Sequence, residues 1–203
     1  MTDRSSAKAH ATRARILEAA RRELGRDPDC SLGDIAEAAG LARRTLYGHF
    51  AGRAALVHGL AADAGEAVRR ASATVARTPT PDPVTALAHF VLTLWPIGDR
   101  YRMLIALAHC DLGPDRVDAL LGPARDTVAG ILADGQRQGV FHTVVPPGPL
   151  SRALEAHVLA LLDSVGSGRW TYDGTAAATA ALIIAGVGPD LATTTVHRLR
   201  ASR

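Results

Sequence analysis

Residues 42–53 of this 203-residue sequence bring together Arg43, Arg44, His49 and Arg53 with Thr45 and Tyr47, and contain no acid. Those residue types at that spacing suit contact with a polyanion. An arginine can donate bidentately to guanine O6 and N7. Arg43 and Arg44 stand at the N-terminal end of a short helix expected over 42–50, the part of a recognition helix that reaches base edges. Thr45 can bond a base or a phosphate, or meet a thymine methyl. Tyr47 and His49 suit phosphate oxygens, which position a helix without reading sequence. Gly48 costs about 1 kcal/mol of helix propensity relative to Ala; close approach to a groove floor explains it, and simple tolerance explains it equally. Gly52-Arg53 opens the next helix, whose first N–H groups and the Arg53 guanidinium make a phosphate site. One arginine on a helix is usually only solvated. Several basic and aromatic groups converging on one short helix are a different case.

Such groups need a rigid mount, and the preceding residues supply one. Ser31 offers an N-cap oxygen and Asp34 sits near the positive end of the helix that follows. Leu32, Ile35, Ala36 and Ala39 recur at i, i+3, i+4 and i+7, a buried stripe. Ala36 is small where two short helices must cross, and Gly40 can take the left-handed conformation of a tight inter-helix turn. Leu41, Leu46 and Phe50 continue the shared core. At this spacing the pattern is a helix-turn-helix over 31–53. A first helix over 7–24 packs Ile16, Leu17, Ala20 and Leu24 on one face, with Arg15, Glu18 and Arg22 on the other and Glu18–Arg22 at the i,i+4 spacing.

The rest of the chain reads as helical as well, so the fold class is all-α. A fourth helix starts near Gly52 or Arg53 and ends before the Pro-rich connector 78–83. Further helices are expected near 84–95, 100–111, 114–138, 149–166 and 173–187, with 189–203 a short helix or a frayed end. Val144-Val145 is the one strand-like fragment. The expected domains are a helix-turn-helix head at 1–53 and a helical body at 54–203.

Charge and composition narrow the function. Residues 1–53 hold ten Lys/Arg against seven Asp/Glu, and 54–203 hold thirteen of each, so the net charge of +3 resides in the head. A basic patch on a neutral body fits a nucleic-acid footprint better than adhesion to a membrane. With 47% apolar residues there is ample core. No apolar run reaches the roughly 20 residues of a membrane span, and the polar start lacks the apolar stretch of a signal peptide; the cytoplasm is the expected location. Cys30 and Cys110 are too few for a metal cluster, the histidines show no ligand spacing, and no cofactor is implied. No acid pair, nucleophile elbow or phosphate-cradling loop points to an enzyme.

The stretches Arg13-Ala-Arg-Ile-Leu-Glu-Ala-Ala20, Leu32-Gly-Asp-Ile-Ala-Glu-Ala-Ala-Gly-Leu41, Arg43-Arg-Thr-Leu-Tyr-Gly-His-Phe50 and Arg53-Ala-Ala-Leu56 resemble the tetracycline-repressor (TetR/AcrR) family of bacterial regulators, whose hallmark Thr-Leu-Tyr-x-His-Phe is intact. The resemblance covers roughly residues 10–60. It implies that positions 43, 44 and 45 face bases while Tyr47, His49 and Arg53 hold phosphates. Ala42 replaces the family's usual capping Ser, Leu24 a common Phe, and Arg53 a usual Lys.

The resemblance also implies a dimer formed by the last two long helices and a small-molecule site in the body. Helical spacing gives the dimer its own argument: Ala153, Leu154, His157, Val158, Leu161 and Leu162 fall on one face, and Ala181, Leu182, Ala185 and Gly186 on another, enough for a four-helix interface. Internal packing is the alternative. Candidate ligand-lining residues are Phe90, Trp95, Tyr101, Met103, His109, Cys110 and Trp170, with Tyr172 beside the last; aromatics at helical spacing are also ordinary core. The function expected is a sequence-specific DNA-binding transcriptional regulator, a homodimeric repressor that a small-molecule effector releases from its double-stranded operator. A ligand-independent regulator or an activator of the same fold is the alternative.

Overall fold

The computed structural model describes residues 2–77, 82–107, 111–168 and 173–201. Among them lie the helices α1 (Thr2–Arg26), α2 (Leu32–Ala38), α3 (Arg43–His49), α4 (Arg53–Arg77), α5 (Pro83–Arg100), α6 (Met103–Leu107), α7 (Pro114–Arg137), α8 (Pro147–Gly166), α9 (Thr175–Ile184) and α10 (Pro189–Ala201), and no strand. The all-α expectation holds. The Val144-Val145 fragment lies in a loop with Val144 exposed, since no second strand is there to pair with it. The 189–203 segment is helical through Ala201 rather than frayed. Of the helix expected over 100–111, residues 103–107 are α-helical and 111–112 π-helical, with 108–110 outside the described set, as are 78–81 of the connector.

The chain divides into two compact units: Met1–Ala64 with Tyr101–Val117, and Gly65–Arg100 with Asp118–Arg203. In the first, Ile16, Ala20 and Leu24 of α1, Ile35 and Ala36 of α2, Leu46 of α3 and Leu56, Val57 and Leu60 of α4 form one buried core. Each large aliphatic side chain removed from water there stabilises by about 1.5–3 kcal/mol.

Both ends of α2 are closed by specific hydrogen bonds. At its start Ser31 Oγ accepts from the Asp34 N–H (3.2 Å) and Asp34 Oδ2 accepts from the Ser31 N–H (2.9 Å), a complete capping box. The Ser31 hydroxyl, which donates to Asp34 Oδ2 at 2.7 Å, and then the Ser31 N–H hold the Asp34 carboxyl below its usual range. The stabilisation is therefore present at neutral pH and is lost on acidification, as pH falls through the lowered folded pKa. At its end Gly40 adopts φ 64°. The Gly40 N–H bonds to the Glu37 carbonyl (2.8 Å) and the Leu41 N–H to the Ala36 carbonyl (2.9 Å), the paired bonds of a Schellman turn.

Two arginines of α1 complete that terminus. Arg15 Nη2 donates to the Ala39 carbonyl at 2.7 Å and Arg22 Nη2 to the Ala38 carbonyl at 3.4 Å. Cations thus meet the carbonyl end of α2, where the helix dipole favours them. This corrects the expected pairing on α1: Glu18 binds Arg21 at 2.5 Å, which frees Arg22 for α2.

In the second unit Asp82 caps α5, accepting from the Thr85 N–H (2.8 Å) and hydroxyl (2.9 Å), with Pro83 at the first helical position. Helix α9 lies against α5, α10 and α8. Its Ala177, Ala178, Ala181 and the following Ala185 are wholly buried, so small side chains allow close backbone approach there.

Helix α3 begins without help: Ala42 has the extended backbone of an N-cap (φ −65°, ψ 143°) but no side-chain bond. Replacing Ala42 by Ser should therefore stabilise the chain by about 1 kcal/mol, read as a rise in Tm of roughly 2–4 °C.

Candidate nucleic-acid interface

Helix α3 is two turns long, and its orientation is set from below. Leu46 is wholly buried, and Phe50 at the C-cap is sandwiched. The Arg13 guanidinium sits 4.3 Å from the centroid of the Phe50 ring, a cation–π contact. On another side, Gly59 of α4 comes so close that a Cβ there would stand 2.7 Å from Phe50 Cε1. Any larger residue at 59 would have to displace the ring.

With Leu46 and Phe50 fixed inward, Arg43, Arg44, Thr45, Tyr47 and Gly48 are exposed and His49 is half-buried. Tyr47 leaves 53% of its surface in solvent, uncommon for so large a ring. The structure therefore brings the residues expected at 43–49 onto one small helix and its flank. Arg43 folds back over the first turn of α2, its Nη2 2.7 Å from where a Gly33 Cβ would be. Its charge adds to the lowering of the Asp34 pKa, after the Ser31 hydrogen bonds. At Gly48 an added Cβ would meet nothing within 4 Å, so no packing in the protein requires glycine there.

Arg53 has a second set of partners that sequence reasoning did not supply. Its Nη1 donates to the Cys30 carbonyl (3.2 Å), its Nη2 to the Pro28 carbonyl, and its Nε lies 3.8 Å from Asp111 Oδ2. The guanidinium pins the start of α4 to the loop between α1 and α2. Burial pushes the Cys30 thiol pKa up, with the Arg53 charge opposing, so the thiol stays protonated near neutral pH. Two further bonds hold residues 101–117 to α4: the Tyr101 hydroxyl to Asp63 Oδ2 (2.5 Å), and Arg116 Nη1 to His58 Nε2 (2.8 Å).

The candidate ligand-lining residues that the structure describes belong to different units. Phe90 lines a cavity of about 120 Å³ in the second unit. Trp95 is buried against Gly174, and Tyr101 and Met103 are buried in the first unit. His109, Cys110, Trp170 and Tyr172 lie outside the described residues. The cavity's other lining, including Leu87, Val91, Leu94, Arg125 and Glu155, was missed. The spacing of 87, 90, 91 and 94 along α5 is a signal that could have found part of it.

Of the candidate dimer residues, Leu154 and Leu182 are buried within the chain, and Val158 lines the same cavity. His157 and Leu161 are half-buried and Gly186 is exposed just past α9. Burial lowers the His157 pKa, and its Nε2 has no hydrogen-bond partner among the described residues.

Gly48→Ala separates packing from contact. The free protein should gain up to about 1 kcal/mol, while affinity for a specific duplex should fall if Gly48 faces the groove floor. Thermal melting and fluorescence anisotropy on one preparation measure both; unchanged affinity removes Gly48 from the interface.

Residues 16–60 match the family model described as bacterial regulatory proteins, tetR family. No curated protein matches the chain. Among solved structures, the chain is similar to CprB from S. coelicolor A3(2), a TetR family protein (20% identity, TM-score 0.75, covering 97% of this chain and 100% of that one). It is also similar to PfmR, a TetR family transcriptional regulator from Thermus thermophilus (23%, TM-score 0.68, 86% and 95%). A third is RolR in complex with resorcinol (20%, TM-score 0.62, 95% and 96%). At these identities the likeness is one of fold.

Proposed function

We propose that this chain, a member of the tetR family of bacterial regulatory proteins by its head and by the fold of its whole length, is a homodimeric repressor that a small molecule releases from DNA. The observation that carries the reading is the outward face of α3. It presents basic, hydroxyl and aromatic groups without an acid, on a helix fixed by Leu46, Phe50 and Gly59. In this reading Arg43, Arg44 and Thr45 face base edges, while Tyr47, His49 and the start of α4 at Arg53 hold phosphates. Arg53 acts there chiefly by fixing the N-terminus of α4, whose N–H groups can face a phosphate. The functional domains in this reading are the head, 1–53, and the body, 54–203.

Two turns of helix read too few base pairs for a genomic address, so a second head about one helical turn of DNA away is needed. The outer side of α8 suits the pairing: Ala153, Ala156 and Ala160 are exposed beside half-buried His157 and Leu161. Ile183 of α9 and Leu191 of α10 are large apolar side chains in solvent, as an uncovered interface would have. The effector reading draws on the cavity beside Phe90 and on the similar RolR, solved with resorcinol. Helix α4 enters both compact units and is the natural link between effector and head. An effector acts only if it binds one arrangement of the two heads better than the other.

The test begins with a duplex selected from a random library on the full chain. Arg44→Ala should weaken it by about 1–3 kcal/mol and relax preference at one base pair. Tyr47→Phe should weaken all duplexes about equally. Anisotropy titrations that show no loss in either variant remove α3 as the reading helix. Leu161→Glu should shift the chain from dimer to monomer in sedimentation and lower duplex affinity with it; a dimer that persists moves the interface off α8.

A further inference from the structure

We propose that the cavity of the second unit takes an uncharged single-ring or short-chain lipophile carrying one hydroxyl or N–H donor; this rests on the effector reading above and names its chemistry. The walls are aliphatic and aromatic side chains of α4, α5, α7 and α8, among them Val68, Leu87, Phe90, Leu121 and Leu162. Among the described residues, polar side chains enter the lining only at Arg125, Ser151 and Glu155. What those three still have to offer a ligand decides its class.

Every nitrogen of the Arg125 guanidinium is already engaged. Nε donates to Glu155 Oε2 (2.8 Å), Nη1 to Asp118 Oδ1 (2.7 Å) and Nη2 to the Asp118 carbonyl (3.1 Å). The side chain is 11% exposed, and its two acidic partners raise its pKa against the opposing effect of burial. The Ser151 hydroxyl donates to the Arg125 carbonyl (2.9 Å). Three of the five guanidinium N–H groups and the Ser151 hydroxyl are thus committed to protein acceptors, while Glu155 Oε1 and the lone pairs of Ser151 remain as acceptors facing a ligand.

An anionic ligand would meet the Glu155 carboxylate, beside an Arg125 charge already shared between two acids. A cation would lose its hydration among aliphatic walls, beside two acids already matched by two arginines, Arg125 with Glu155 and Asp118, and Arg152 with Asp118 (3.5 Å). A neutral group that donates one hydrogen bond meets neither obstacle. Size narrows the class further: about 120 Å³ is near the roughly 150 Å³ of a dry cavity that admits benzene. One ring or a short chain fits without rebuilding the walls.

Calorimetric titration of the full chain with phenol, toluene, benzoate and benzylammonium tests this class. Phenol should bind most tightly, toluene roughly 3–10-fold more weakly for want of the donor, and both ions more weakly than phenol. Val158→Phe, which thrusts a ring into the space, should weaken phenol at least about tenfold while circular dichroism stays helical. Glu155→Gln releases Arg125 Nε and should raise benzoate relative to phenol. The proposal is overturned if either ion matches phenol on the unaltered chain, if toluene equals phenol, if none of the four binds, or if phenol ignores both substitutions. Duplex anisotropy separates this from the effector reading. Phenol that binds in the cavity without releasing DNA sinks that reading and leaves the site. Release that survives Val158→Phe sinks the site and leaves the reading.

Discussion

The passage from α2 to α3 is the constraint on which the head depends. Four residues, 39–42, must reverse the chain tightly enough for two helices of seven residues to share one core. Helices that short do not persist alone in water, so their order must come from their ends and their contacts. The Schellman turn at Gly40 and the capping box at Ser31 close the ends. The arginines of α1 close the last carbonyls of α2. If this terminus opened, the inward seat of Leu46 would go with it, and the exposed face of α3 would have no fixed direction.

Most of that was legible in the sequence. The Ser31–Asp34 spacing, the glycine at 40 and the apolar stripe through Ile35 and Leu46 are local patterns, and each fixes its own hydrogen bonds or burial. The contacts that were not legible join residues far apart in the chain. Arg15 and Arg22 read as a solvated face because α1 alone does not reveal that the carbonyl end of α2 lies against it. Arg53 read as a free phosphate contact because its partners at Pro28, Cys30 and Asp111 are brought near only by the fold. The same holds in the body. Aromatic residues drew attention as ligand lining, but Trp95 is spent on covering Gly174, and the cavity is walled mainly by leucine and valine. A single aliphatic stripe does not declare whether its far side is filled or hollow.

The two units also differ in how their polar groups are used. In the first unit, arginines such as Arg15, Arg22 and Arg53 reach main-chain carbonyls of other segments. In the body, the Arg125–Glu155–Asp118 cluster binds α7 to α8 beside an otherwise apolar hollow. One arrangement stiffens a mount for a surface helix. The other leaves a space whose polarity is set by what its own residues have already satisfied.

The alanines buried along α9 carry a thermodynamic consequence. Alanine has no rotamers to lose, so burying four of them against neighbouring helices costs almost no side-chain entropy. The same lack of rotamers means that this seam has no alternative packings to choose among. It can slide or separate as a whole, but it cannot absorb a local displacement by turning a side chain. Local adaptation inside the second unit is therefore easier on the leucine- and valine-lined side, where side chains have rotamers to change.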